Sequence, residues 1–407
     1  MRLRLRQRGT GEDECGTTLR LESRGGFATL GLPHMKPILK FRPVSRRNFL
    51  SQLSLGAAAV ALASRARGQS GTTPRKLGVA LVGLGNYSRG QLGPALKVTQ
   101  NCELRGVVTG SREKGLQWAK EFGFSEKNIF SYETMHQLAG NRDIDIIYIV
   151  TPNGLHREHA IVAAKTGKHL IIEKPMANTV AECDAIIQAC RDARIQCAIG
   201  YRLHFDPFHR ELMRLAHEKD FGPFMKMNGD RGFVVNTWRW RIDRKLAGGG
   251  PMMDIGIYIN HAAVMAADGV PPVAVTARHI PKTKPELFKE VEEGTRYTME
   301  FPNGALFNGF TSYAHNSDTF RAEGDKGWIE FREKAFTYRG AVVVTSKGPL
   351  DFGPYVNQQA LHMDDFAQCV RENRPTRVPA EMGRRDMVII EALYEAARTG
   401  KRTLVKV

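Results

Sequence analysis

The chain has 407 residues, 42% apolar and 25% charged, with a formal net charge of +17; this is enough for two or three domains with real cores. The charge alone would fit a nucleic-acid binder, but residues 1–70 hold thirteen Lys/Arg against four Asp/Glu, a surplus of +9, and the other +8 is spread with no basic block. An even spread argues against a nucleic-acid partner, which would call for cations gathered on one element.

The N-terminal excess has its own explanation. Ser45-Arg46-Arg47-Asn48-Phe49-Leu50 is a twin-arginine pattern, followed by a mildly apolar run from Leu55 to Ala63 and small residues at Ala61, Ala63 and Ala66 that offer cleavage sites. The run is shorter than the about 20 apolar residues a membrane-spanning helix needs. Residues 1–70 therefore read as a leader with a Tat-type export signal, removed on the way to a periplasmic protein with no stable membrane insertion. Met35 is an alternative start.

From Lys76 onward apolar runs alternate with amphipathic helices. Strands are predicted at 77–83, 102–109, 144–150, 169–173 and 195–200. The helices between them run through Leu92, Ala95 and Leu96; over 112–122; through Ala160, Ile161 and Ala164; and over 181–193. Continuous apolar strands joined by crossover helices indicate a parallel sheet buried on both faces, an α/β doubly wound Rossmann domain over residues 75–200.

After Tyr201 the texture becomes strand-rich, with turn signals such as Pro302-Asn303-Gly304 and helices near 254–267 and 358–372. Residues 201–407 are expected to form an α+β domain with a mainly antiparallel sheet. A sheet with one open face suggests a homo-oligomer, a dimer or tetramer. Cys15 falls in the leader, and Cys102, Cys183, Cys190, Cys197 and Cys369 form no C-x-x-C and no zinc-ligand spacing. Neither a metal site nor a disulfide framework is expected.

The first strand runs into Gly83-Leu84-Gly85-Asn86-Tyr87-Ser88. Two glycines tighten the turn and let backbone N–H groups approach a pyrophosphate at a helix N-terminus, although Ser88 replaces the third glycine of the usual fingerprint. The second strand ends in Thr109-Gly110-Ser111-Arg112, with Lys114 beyond, where an NAD enzyme usually places a carboxylate. Hydroxyls and cations there favour a 2′-phosphate, hence NADP over NAD; the plainer reading is a helix cap.

Ligands of a doubly wound sheet sit beyond the carboxyl ends of its strands. Thr151-Pro152-Asn153 and Glu173-Lys174-Pro175 both follow such ends, and Pro175 stops its strand so that the Lys174 ammonium projects toward the crevice. Asp254 and Tyr258, four apart at a helix start, share a face. Together the three could surround a carbinol; equally, Lys174 could be a solvated turn residue, Asp254 a cap and Tyr258 a packed aromatic.

The segments GLGNYS, TPNGLH, EKPMANTVAEC, GYRLHFDP, WRIDRKLAGGGPMMDIGIY and EALYEAARTGK, spread from about Lys76 to Lys401, resemble the glucose–fructose oxidoreductase family within the wider Gfo/Idh/MocA oxidoreductases. The resemblance implies a Rossmann domain followed by a large, mainly antiparallel open-faced sheet that supports substrate binding and self-association. It implies catalysis by Lys174, Asp254 and Tyr258, with Lys174 touching substrate and nicotinamide, Asp254 orienting sugar and lysine, and Tyr258 as acid/base where many relatives carry histidine. It further implies cofactor contacts from Gly83, Gly85, Asn86, Tyr87, Thr151, Pro152, Asn153, His156, Glu173 and Lys174, and substrate contacts from Tyr201, Arg202, Trp240 and Arg241. The function expected is an exported NADP-dependent oxidoreductase acting on a CH–OH group of a sugar or polyol. An NAD-dependent glycosidase of the same superfamily and a non-catalytic nucleotide-binding protein are the alternatives.

Overall fold

The computed structural model describes residues 75–407; the leader predicted over residues 1–70 lies outside the described residues. β1 (Leu77–Val82) is the centre of a six-stranded parallel sheet with β2 (Cys102–Val108), β3 (Ile129–Phe130), β4 (Ile146–Ile149), β5 (His169–Ile172) and β6 (Cys197–Ile199). The order is β3-β2-β1-β4-β5-β6, so the winding reverses between β1 and β4. At such a reversal the crossovers leave to opposite faces and open a crevice at the strands' carboxyl ends. Its helices are α1 (Gly93–Leu96), entered through a wide turn at Ser88–Leu92, α2 (Arg112–Phe122), α3 (His156–Ala164) and α4 (Val180–Asp192).

Local chemistry sets these boundaries. The Ser111 hydroxyl accepts from Lys114 N at the start of α2, and Gly123, at φ +72°, closes it in the left-handed region. Thr179 caps α4 by accepting from Glu182 N, while the Glu182 carboxylate reaches back to Asn178 N.

The chain then forms α5 (Pro207–Glu218), β7 (Lys226–Gly232), α6 (Arg244–Ala247) and α7 (Ile257–Ala266), the last entered through a wide turn at Met252–Gly256. β8 (Ala274–His279), β9 (Gly294–Glu300), β10 (Leu306–Ser312), β11 (Ser317–Glu323), β12 (Trp328–Glu333), β13 (Val342–Thr345), β14 (Gly348–Pro349) and β15 (Thr403–Leu404) follow. With β7 they make a nine-stranded sheet, antiparallel except where β7 pairs with β10. Residues alternate across it. Met227, Gly229 and Arg231 of β7, with Phe307, Gly309 and Thr311 of β10, face α7, while Asn228, Asp230 and Asn308 face out.

α8 (Gln358–Glu372) and α9 (Ala380–Thr399) return to the first sheet. The Asp364 carboxylate of α8 accepts from Gln100 N and Asn101 N, α9 packs on α4, and Ile199 N donates to Val378 O at the edge of β6. The dinucleotide-type layer is thus completed by the end of the chain. The sequence reading contained no β3, β11, α5 or α9.

Candidate active site

The turn after β1 has the shape a dinucleotide requires. Gly83 sits at φ +98°, and a Cβ there would come within 3.1 Å of Thr151 Cγ2. Only glycine adopts that conformation freely. Among the described residues a Cβ at Gly85 would meet no heavy atom within 4 Å, so the turn is open where a phosphate would approach. Ser88, in place of a third glycine, donates its hydroxyl to Gly83 O at 2.6 Å and ties the turn shut from behind. Asn86 is exposed beside it, and Tyr87 lines the cleft.

At the end of β2 the four predicted residues divide. Thr109 is buried and its Oγ1 accepts from Ser111 N, while Ser111 caps α2, so both hydroxyls serve the backbone. Arg112 and Lys114 are exposed and have no carboxylate partner among the described residues. The cations, not the hydroxyls, remain for a 2′-phosphate. The turn, its open face and these cations fit a phosphorylated dinucleotide.

Glu173 and Lys174 point different ways. The Glu173 carboxylate lies under the sheet end, accepting from Tyr148 Oη at 2.7 Å and from Lys174 N at 3.2 Å. Burial pushes its acid up against the pull of Tyr148 and Lys174. Gly200 leaves it room, since a Cβ there would stand 2.6 Å from Glu173 Oε1. The Lys174–Pro175 peptide is cis. The Lys174 ammonium donates to Asp254 O at 2.8 Å and stands 4.4 Å from the centroid of the Tyr258 ring.

Asp254 holds the lysine through its carbonyl, not its carboxylate. The carboxylate accepts from Tyr313 Oη at 2.8 Å and pairs with Arg241 Nε at 2.9 Å. Burial would raise its pKa, but Arg241, Lys174 and the Tyr313 bond hold it below the ordinary carboxylate range. Tyr313 reaches it because it follows β10 on the inner face, in register with Phe307 and Thr311.

Tyr258 lies between two cations, with the Arg202 guanidinium carbon 5.3 Å from its ring on the side held by the carbonyls of Phe336 and Thr337 and by Gln358. Burial pushes the phenol up, and the attraction of Lys174 and Arg202 outweighs it, leaving the pKa below its ordinary value. Arg202 is fully buried behind the Tyr258 and Tyr338 rings and tunes the site from beneath. Tyr201 turns away and stacks on His261 at 4.1 Å, outside the cleft. Trp240 and Arg241 line the cleft, about 280 Å³ in volume, with Lys174, Asp254 and Tyr258.

Thr151, Pro152, Asn153 and His156 brace the crevice. His156 is fully buried between the two strand-end loops, one ring nitrogen 2.8 Å from Thr151 O and the other 3.0 Å from Pro175 O, and the neutral ring donates its one N–H to one of these carbonyls. Burial lowers its pKa to about 4. Asn153 donates to Ala247 O at 3.0 Å, joining the crevice to the segment that leads to Asp254. Thr151 lines the cleft itself.

Sequence reasoning missed Arg231, Phe233, Tyr313 and Tyr338, which line or support the cleft. It also missed why three glycines precede Pro251. A Cβ at Gly249 would fall 2.0 Å from Tyr394 Oη, and one at Gly250 2.2 Å from Glu292 O. The Glu292 carboxylate accepts from Gly250 N, Met252 N and Tyr394 Oη, fixing the turn that presents Asp254. The glycine run itself was the available signal of a close backbone approach.

Residues 77–201 match the model of an oxidoreductase family with an NAD-binding Rossmann fold, and residues 209–330 match the GFO/IDH/MocA C-terminal domain. The chain is 37% identical to the crystal structure of aldose–aldose oxidoreductase from Caulobacter crescentus complexed with glycerol, covering 81% of this chain and 100% of that one, with a TM-score of 0.78. It is 28% identical over 318 residues to D-xylose 1-dehydrogenase [NADP(+)] of Haloarcula marismortui, covering 75% of this chain and 87% of that protein. A levoglucosan dehydrogenase solved with NADH and levoglucosan shares the fold at 22% identity and a TM-score of 0.70, covering 82% of this chain and 100% of that one.

Proposed function

The chain belongs to the GFO/IDH/MocA oxidoreductase family, with its NAD-binding Rossmann fold, and on that footing we propose that it oxidises a CH–OH group of a sugar or related polyol with NADP as acceptor. The observation that carries the reading is the Lys174 ammonium 4.4 Å from the Tyr258 ring, inside a cleft at the carboxyl ends of β1, β4 and β5. The names of the similar proteins, an aldose–aldose oxidoreductase and an NADP(+) xylose dehydrogenase, support the substrate and cofactor class.

Oxidation of a carbinol breaks a C–H and an O–H bond and leaves a carbonyl. The nicotinamide supplies the acceptor for the hydride, and the protein must take the proton. Tyr258 takes it. A free phenol, with a pKa near ~10, is a poor base at neutral pH, and the two flanking cations bring it toward the working range. Lys174 also stabilises negative charge on the carbinol oxygen as the proton leaves. Arg241, fixed by Asp254, and Trp240 hold the sugar. Arg112 and Lys114 would hold the 2′-phosphate of bound NADP.

The twin-arginine leader makes the protein an exported, periplasmic enzyme, a route that lets a folded chain carry its nucleotide out with it. The outward face of the nine-stranded sheet, with Arg278, Asn228 and Asn308 exposed, is the surface through which it self-associates.

The test is to offer the purified protein a panel of aldoses with NADP or NAD and follow reduced nicotinamide. Turnover with an aldose, faster with NADP, is expected. Hydrolysis of glycosides with no net change in nicotinamide would replace this reading with the glycosidase.

A further inference from the structure

Thr337 and Tyr338 line the reaction cleft, and they also line a second cavity of about 280 Å³, equal in volume to the first. The rest of that cavity comes from the start of α5, from Ala335, from the segments 339–341 and 350–356, and from Gln358 at the start of α8, none of them a strand end of the dinucleotide sheet. Gly83, Gly85, Arg112 and Lys114, the residues that would hold the phosphates of a dinucleotide, do not line it.

Its walls present aromatic faces to water. Phe208 and Phe352 meet edge to face with centroids 5.1 Å apart, and the Arg339 guanidinium lies 4.5 Å from the Tyr355 ring. Among the described residues the exposed large aromatic side chains are Trp238 (68%), Phe352 (43%) and Tyr355 (45%). Phe352 and Tyr355 line this cavity; Trp238 lies two residues before Trp240, on the loop that lines the first cleft. Aromatic rings left in water at the rim of a reaction cleft mark a surface built to be covered. A pyranose ring matches them, with an apolar C–H face for the rings and a rim of hydroxyls for Arg339, Asp351 and the buried Asp206–Gln358 pair.

We propose that the second cavity is a saccharide subsite that holds the pyranose unit next to the one being oxidised, so that the preferred substrate is an aldose-terminated di- or oligosaccharide. The inference rests on the sugar oxidation proposed above and adds the length of the substrate to it. Stacking on Phe352 and Tyr355 stabilises binding of the longer sugar and leaves the reacting unit in the same place against Lys174 and Tyr258.

The experiment compares glucose, maltose and cellobiose on the wild type and on the Phe352→Ala/Tyr355→Ala double variant. For the wild type at least one disaccharide should show a KM about ten-fold below that of glucose. The double variant should lose that advantage while its kcat/KM for glucose stays within about two-fold. Equal KM values for glucose and both disaccharides in the wild type overturn the subsite, as does an equal loss for all three sugars in the variant. If no aldose is oxidised at all, the redox reading fails and the subsite is judged by calorimetric titration with maltotriose and cellotriose. Binding that the double variant abolishes sustains it; no binding, or binding unchanged in the variant, overturns it.

Discussion

The Lys174 ammonium donates to the carbonyl of Asp254, and that carbonyl belongs to the turn that leads directly into the helix carrying Tyr258. The 4.4 Å between cation and phenol ring is therefore fixed by main chain on one side and by the β5 loop on the other, not by a free rotamer. Asp254 adds rigidity through a separate atom, its carboxylate being held by Arg241 and Tyr313. The linkage holds ammonium and phenol in place before any substrate arrives, as the acid–base role proposed for them requires.

The glycine turn offers a separation of fold from cofactor binding. Gly85→Val places its side chain in open space and should leave the melting temperature nearly unchanged while weakening NADP binding by about ten-fold or more, through intrusion on the phosphate path. Gly83→Ala forces a Cβ into the +98° conformation and should cost about 1–3 kcal/mol of stability. Thermal melts together with nucleotide-binding titrations distinguish the two.

Arg112 and Lys114 should govern the choice of nucleotide. Replacing both with alanine is expected to raise the KM for NADP by about 10- to 100-fold, the worth of one or two charge-assisted hydrogen bonds, with little change for NAD. Steady-state kinetics with each nucleotide provides the check; an equal loss for both would place the 2′-phosphate elsewhere.

Acid should destabilise the fold before carboxylates titrate. Burial holds His156 and His362 at pKa values of about 4, against about 6.5 in an unfolded chain. The unfolded chain thus takes up protons first as the pH falls. Stability is complete above about pH 6.5 and is lost progressively toward pH 4. His362 Nε2 has no hydrogen-bond partner among the described residues. His362→Leu should therefore flatten the fall in melting temperature between pH 7 and pH 5, whatever it does to the value at pH 7.

Much of this was legible in the sequence, for identifiable reasons. Strands buried on both faces give continuous apolar runs, so β1, β2, β4, β5 and β6 were read within a few residues of their ends. The two-residue β3 is too short for any pattern. α9 was missed because Val388-Ile389-Ile390 reads as a strand inside a helix that is buried along much of its length. The strand-end positions and the Asp254–Tyr258 spacing singled out Lys174, Asp254 and Tyr258 as candidates, and the family resemblance, not the local pattern, gave them their roles. Tyr313, Tyr338 and Glu292 could not be picked out. Their places depend on the register of the second sheet and on loop closure, and nothing local marks them. Arg202 and Tyr201 adjoin in sequence, yet one backs the Tyr258 ring and the other stacks on His261, an orientation only the packing decides.

The pH dependence of the first turnover of reduced nicotinamide, followed by stopped flow with saturating aldose, tests the Lys174–Tyr258 pairing most directly. The wild type should gain rate as the pH rises through a Tyr258 pKa below the ordinary phenol value, and Lys174→Met should slow the step and move that limb to higher pH. Tyr258→Phe should lose about 10²- to 10⁴-fold in rate and the limb with it. A limb that stays put in Lys174→Met, or survives in Tyr258→Phe, would contradict the pairing.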